Sequence, residues 1–181
     1  MSKTSAAAAK ASTSSHFQLF GLPPAFALDV ERLDAAYRDI QARVHPDKFA
    51  HAGEAERRAS MQMTTRVNEA YRTLKDPLKR AIHLLELNGV DVAFETDTAM
   101  PTEFLMEQME IRERLEESKR TSDLDLLQTG LSQQKNAIEK QIATEIDSEK
   151  NYENARSLVR KLMFFDRLAE EVDEAYEALE S

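Results

Sequence analysis

His45, Asp47 and His51 are the residues of this chain best spaced to do chemistry together. Two imidazoles and a carboxylate on so short a stretch form a ligand set that a metal hydrolase can use. Their surroundings argue against it. No glycine-rich phosphate cradle and no nucleophile lies beside them, and the other two histidines, His16 and His83, are remote in sequence. Short constellations of this kind often arise by accident. In His45-Pro46-Asp47-Lys48-Phe49 an imidazole, a carboxylate and an ammonium group sit close together, and proline restricts the backbone that carries them. Such a loop is where the function of the first half is expected. No enzymatic reaction, cofactor or metal is expected.

The segments on either side must position that loop. From Asp29 to Val44, apolar residues fall at Leu33, Ala36, Tyr37, Ile40 and Val44, the spacing of one helical face. Downstream, Met63, Val67, Ala70, Tyr71 and Leu74 repeat the pattern. Proline disfavours helical geometry in the residue before it, so the first helix should end at or near His45. Two helices with facing apolar stripes and a short loop make an antiparallel hairpin. The polar triplet sits at its tip.

Composition fits an all-α protein. The 181 residues allow one or two domains with modest cores. Four glycines and five prolines give little punctuation for a many-stranded fold, and good helix formers dominate. With no cysteine, disulfides, thiol catalysis and cysteine metal sites are excluded. No apolar run approaches the roughly 20 residues that span a bilayer, so no membrane partner is expected. Residues 1–15 read as a disordered tail: they lack the apolar core of a secretory signal and the arginines usual in a mitochondrial leader. A bacterial cytoplasm is the expected compartment.

Charge divides the chain. Residues 1–90 carry 13 Lys+Arg against 10 Asp+Glu, whereas residues 91–181 carry 11 against 23. The second half would repel phosphates, which argues against a nucleic-acid partner. Solvation explains most of those charges, but the asymmetry also points to two modules facing different partners.

Asp76-Pro77 reads as a helix start, with an N-cap aspartate and proline at the first helical position. The helix that follows holds Ala81, Ile82, Leu84, Leu85 and Leu87 on more than one face, which predicts that it is sandwiched between the two modules and makes their linkage stiff. Asn88-Gly89 stops it. Three longer helices are expected from near Pro101 to Lys119, from Asp123 to Ile146 with Ser122 as cap, and from Tyr152 to Leu179. Leu124, Leu127, Leu131, Ile138, Ile142 and Ile146 supply the buried stripe of the second. Ala155, Leu158, Leu162, Phe165, Val172 and Tyr176 supply that of the third. Short loops between long helices imply a three-helix bundle.

The helix after Pro101 is apolar on two sides. At about 100° per residue, Phe104, Ile111 and Leu115 share the side that should face the bundle. Leu105, Met106 and Met109 lie broadly opposite, among Glu110, Glu113 and Glu117. A bundle helix needs one apolar face, so the second reads as a docking surface, with a wide core stripe or contact with the N-terminal module as the plain alternatives. Methionine suits such a surface because its side chain adapts to an irregular partner. Phe164 sits at the edge of its own helix's stripe and could join it.

The hairpin resembles a J-domain, the module by which co-chaperones activate a DnaK-class chaperone. The likeness runs from about Phe17 to Leu87 and includes a short lead helix at Phe17 to Phe20, the His-Pro-Asp loop, and Asn68-Glu69-Ala70-Tyr71 followed by Asp76-Pro77. The tripeptide alone is weak; between these helices it is specific. With the acidic bundle, the chain resembles the HscB family of iron–sulfur cluster assembly. The match lies in Phe104-Leu105-Met106-Glu107-Gln108-Met109-Glu110-Ile111-Arg112-Glu113 and in Arg160-Lys161-Leu162-Met163-Phe164-Phe165-Asp166. The implied organisation is a tail over 1–15, a J-domain over 16–89, a linker over 90–100 and a scaffold-binding bundle over 101–181.

The resemblance implies that the bundle binds the scaffold protein IscU through Leu105, Met106, Met109, Glu110, Glu113, Glu117 and Phe164. It places His45, Pro46 and Asp47 against the ATPase domain and interdomain linker of the chaperone HscA. Arg38, Arg43 and Lys48 would steer that encounter by charge. Eukaryotic relatives add a cysteine-based metal segment, which a cysteine-free chain does not provide. The alternative is a general J-domain co-chaperone with a different client, although a Gly/Phe-rich linker and a cysteine zinc module are both missing.

Overall fold

The computed structural model describes residues 15–49, 51–92 and 101–180. The expected tail up to residue 14 and most of the expected linker lie outside the described residues. Among the described residues there are helices and no strand. They fall into two compact units divided between Leu87 and Asn88.

The first unit begins with α1 (His16–Leu19). Ser15, assigned above to the tail, is instead its N-cap. The Ser15 hydroxyl accepts from the Gln18 N–H at 3.3 Å, and Gln18 Oε1 accepts from the Ser15 N–H at 3.1 Å. This reciprocal box satisfies two donors that a helix start leaves orphaned. Gly21 follows at φ +63°, a conformation that costs other residues strain, and lets the Leu22 N–H reach the Phe17 carbonyl at 3.0 Å. The chain thus turns back with Phe17, Phe20, Leu22 and Phe26 buried.

Helices α2 (Val30–Val44) and α3 (Glu54–Lys75) form the hairpin. Asp29 caps α2 by accepting from the Arg32 N–H at 3.0 Å. Leu33, Val67, Ala70 and Leu74 are buried between the helices, and Tyr37 stacks on Tyr71 with centroids 4.0 Å apart. Met63, expected on the buried face of α3, is instead 37 % exposed. Ser60 and Thr64 occupy that region because their hydroxyls have work to do at the tip.

Helix α4 (Pro77–Leu87) starts where Asp76 accepts from the Lys79 N–H at 3.1 Å. Ala81, Leu84 and Leu85 are buried on one side and Leu87 is exposed. Arg80 is buried with them. Its Nη1 donates to the Leu74 carbonyl at 2.6 Å, and its guanidinium lies 4.9 Å from the Phe26 ring centroid. The end of α3 is thereby closed by a cation, where the helix dipole favours one.

The fold stacks two histidines that are far apart in sequence. His16 and His83 rings lie 4.3 Å apart, and His83 Nε2 accepts from the His16 N–H at 3.3 Å. Burial, and then the neighbouring His16, push the His83 pKa down to about 4 from an ordinary 6.5. Between those pH values the unfolded chain takes up a proton that the folded ring refuses. Stability should therefore be level above pH 6.5 and fall as pH drops towards 4. The ring keeps 15 % of its surface open to water, which softens the cost of charging it, so the expected loss by pH 5 is about 1 kcal/mol. Melting curves from pH 7.5 to 5 check this, and His83→Gln should flatten that part of the profile.

The second unit contains α5 (Thr102–Glu117), α6 (Thr121–Ala143) and α7 (Tyr152–Glu180). The start of α6 differs from expectation. Arg120, not Ser122, is the N-cap residue, and its guanidinium bonds Asp123 at 2.9 and 3.3 Å. A charged pair across the first turn takes the place of a hydroxyl cap. At the other end α6 widens into a π-helical turn over Thr144–Glu149, and Lys150 adopts φ +53°. That turn keeps Ile146 buried while the chain reverses into α7.

Leu124, Ile142, Val159, Leu162, Leu168 and Val172 are fully or almost fully buried. Each such aliphatic side chain stabilises the bundle by roughly 1.5–3 kcal/mol relative to exposure. Val159 and Leu168 add to the expected stripe of α7, while Tyr176 at its end is only half-buried and hydrogen-bonds Asp125.

Candidate protein-docking surfaces

The His-Pro-Asp tip is held from below. Val44 ends α2, and its carbonyl accepts from the Ser60 hydroxyl at 2.7 Å, while the Thr64 hydroxyl shares its one proton between the Ser60 carbonyl at 2.9 Å and the Val44 carbonyl at 3.2 Å. A helix end leaves carbonyls without partners, and here the facing helix supplies them. Residues Pro46–Phe49 form one 3₁₀ turn, closed by the Lys48 N–H on the His45 carbonyl at 3.0 Å. Ser60→Ala should cost about 1 kcal/mol, or roughly 4–8 °C in melting temperature for a unit of this size. A thermal melt of the variant checks it.

Within the tip, His45 Nδ1 accepts from the Asp47 N–H at 3.3 Å and lies 3.5 Å from Asp47 Oδ2. A neutral ring bonded this way carries its proton on Nε2, available to a partner. The Asp47 side chain is 91 % exposed. A carboxylate so open to water has little to do for its own fold and much capacity to pair with a cation elsewhere. Lys48 and Arg38 are exposed too, whereas Arg43 is paired with Asp39 one turn earlier in α2. His51 is exposed, and among the described residues no three His, Asp or Glu side chains assemble as a metal site.

Below the tip, polar side chains lock the hairpin. The Tyr37 hydroxyl donates to Asn68 Oδ1 at 3.0 Å and accepts from Gln41 Nε2 at 2.9 Å. Lys75 Nζ donates to both oxygens of Asp34 at 2.7 and 2.8 Å, and the Tyr71 hydroxyl adds a third bond at 3.0 Å. The bonds from Lys75 and then Tyr71 hold the Asp34 carboxyl below the usual carboxylate range.

In the bundle, α5 turns Phe104, Gln108 and Ile111 inward. Phe104 meets the edges of Phe164 and Phe165 with centroids 5.7 and 5.6 Å apart. Arg112 bonds Glu171 on α7 at 3.2 and 3.1 Å, and Glu107 is bonded by Gln134 on α6. The helix is thus fixed on both flanks. Its outer face is not covered: Leu105, Met106 and Met109 are 42, 58 and 62 % exposed. Glu110, Glu113 and Glu117 are exposed around them, and Phe164 is half-buried.

The likeness to known proteins covers both units. A DnaJ-domain family model matches residues 15–83, and a model described as the HSCB C-terminal oligomerisation domain matches residues 100–173. The co-chaperone protein HscB homologue of Burkholderia multivorans is 51 % identical over 170 residues, which is 92 % of this chain and 97 % of that protein. The chain belongs to the HscB co-chaperone family. The corresponding protein of Azoarcus is 47 % identical over 92 % of the chain and 96 % of its own length. Among solved structures, HscB from Vibrio cholerae is similar with a TM-score of 0.81 at 35 % identity, covering 92 % of this chain and 99 % of that one. Human HscB gives 0.85 at 28 % identity over 90 and 82 %.

Four residues that matter to this HscB-family structure were not selected from the sequence. Ser60 and Thr64 anchor the tip, but a hydroxyl inside an amphipathic helix carries no local sign of its partner. Gln108 is 3 % exposed in the seam between Phe104 and Ile111, at a position where the helical wheel already pointed inward. Leu126, 68 % exposed, borders a groove of about 490 Å³ between α5 and α6 that also touches Glu110, Arg114 and Gly130. Its place off the Leu124, Leu127 and Leu131 stripe was the available signal.

Proposed function

We propose that this co-chaperone binds the iron–sulfur scaffold IscU on the outer face of α5, delivers it to the DnaK-class chaperone HscA and stimulates the chaperone's ATPase. The protein works in the bacterial cytoplasm and assists the maturation of iron–sulfur proteins. The observation that carries the reading is the exposed strip of Leu105, Met106 and Met109, rimmed by carboxylates, on a bundle whose core closes without it. Apolar area left in water at that scale, beside fixed charges, fits a protein partner with a complementary apolar centre and basic rim.

The tip performs the second half of the task. Asp47 offers a carboxylate to an arginine of the chaperone, His45 offers a hydrogen bond, and the short turn presents both with little ordering cost. Arg38, Arg43 and Lys48 speed the encounter with an acidic surface. ATP hydrolysis then traps the scaffold on the chaperone, and the cluster can leave.

Steady-state ATPase rates of HscA-type and general DnaK-type chaperones, each with the full-length protein and with or without scaffold, test this. Stimulation of the HscA-type enzyme, increased further by scaffold, is the expected result. Equal stimulation of a general chaperone without any effect of scaffold would favour a broad client range. Stimulation of neither would overturn the reading.

A further inference from the structure

We propose that Met106 and Met109 are an oxidation site through which hydrogen peroxide reversibly weakens docking on α5. The inference rests on the reading of that face as the scaffold-binding surface. The chain has seven methionines and no cysteine, so thioethers are its only oxidisable sulfur. Met106 and Met109 are 58 and 62 % exposed, open to a small oxidant without any unfolding. Three residues apart on one helix, they lie side by side and form most of one apolar strip with Leu105.

The chemistry is a two-electron transfer. A sulfur lone pair attacks one peroxide oxygen, an S–O bond forms and the O–O bond breaks. The departing hydroxide takes up the proton left on the sulfur-bound oxygen and leaves as water. Sulfur is oxidised to the sulfoxide and the peroxide is reduced. The product carries a strongly polar S–O group that needs hydrogen-bond donors. Glu110, Glu113 and Glu117 beside the strip are carboxylates and only accept, while the Arg112 guanidinium three residues after Met109 is engaged by Glu171. Docking would then press two polar groups against the partner's apolar centre, where the basic rim does not reach them, and strip their water, a costly burial. The fold is untouched, because neither side chain belongs to the bundle core. Thiol-dependent sulfoxide reductases reverse the change. Scaffold delivery would slacken under peroxide and recover afterwards.

The test uses the full chain alone, treated with hydrogen peroxide, freed of it, mapped by peptide mass and then titrated with untreated scaffold. With both sulfoxides formed, affinity should fall at least tenfold at an unchanged melting temperature, and methionine sulfoxide reductase should restore it. M106L/M109L should show the same affinity before and after treatment, whatever its starting value. M61L/M63L, altered in the first unit, should stay as sensitive as the parent. Three results would overturn the proposal: full affinity with both sulfoxides present, undiminished sensitivity in M106L/M109L, or oxidation that spares Met106 and Met109 while reaching Met61. Failure of the untreated protein to bind scaffold would instead strike the docking reading itself.

Discussion

Asp47→Asn should abolish stimulation of the chaperone ATPase while leaving the melting temperature and scaffold affinity unchanged. The side chain is 91 % exposed, and His45 Nδ1 lies 3.5 Å from its carboxylate. An exposed contact of this kind contributes about 0–1 kcal/mol to folding. The amide keeps the size of the carboxylate but loses its charge and replaces one acceptor with a donor. An arginine on the chaperone would then face a group that repels as much as it accepts. Losing a charge-assisted bond at a desolvated contact costs several kcal/mol, enough to remove more than nine-tenths of the stimulation. Normal stimulation by the variant would remove Asp47 from the mechanism. A lowered melting temperature would mean that the tip supports its own fold.

The second large effect is at α5. Changing Leu105, Met106 and Phe164 together to alanine should weaken scaffold binding at least a hundredfold, because interface energy concentrates in a few apolar anchors of about 1–3 kcal/mol each. The structure divides the stability cost unevenly among the three. Leu105 and Met106 are 42 and 58 % exposed, so removing them leaves no cavity. Phe164 is half-buried and meets Phe104 edge-on at 5.7 Å, an aromatic contact that contributes about 0.5–1.5 kcal/mol beyond the area it buries. The double variant Leu105→Ala/Met106→Ala should therefore melt like the parent, and Phe164→Ala alone should melt slightly lower. Were all three in the core, the triple change would cost several kcal/mol through cavities. Scaffold titration and thermal melting of the double, single and triple variants separate the cases. Unchanged affinity in the triple variant would place the scaffold elsewhere.

The sequence by itself determined the helices and most of their faces. Period 3.6 is a local property: the side of a helix that carries Leu124, Leu127, Leu131, Ile138 and Ile142 must be the buried side, whatever it packs against. The same arithmetic put Leu105, Met106 and Met109 away from Phe104 and Ile111, and proline chemistry placed the end of α2 and the start of α4. Tertiary structure alone decided the polar pairings. Ser60 and Thr64 on the Val44 carbonyl, Arg80 on the Leu74 carbonyl, the His16–His83 stack and the Arg112–Glu171 bonds join groups whose meeting depends on how one helix is shifted and rotated against another. The caps show the same division. Asp76 was legible because an N-cap bonds within its own turn, whereas α6 starts at Arg120, two residues before Ser122, with the Arg120–Asp123 pair across its first turn. Apolar faces are set by spacing along one segment, but hydrogen bonds demand agreement to a few tenths of an ångström between segments far apart in sequence, and only the packed chain sets that register.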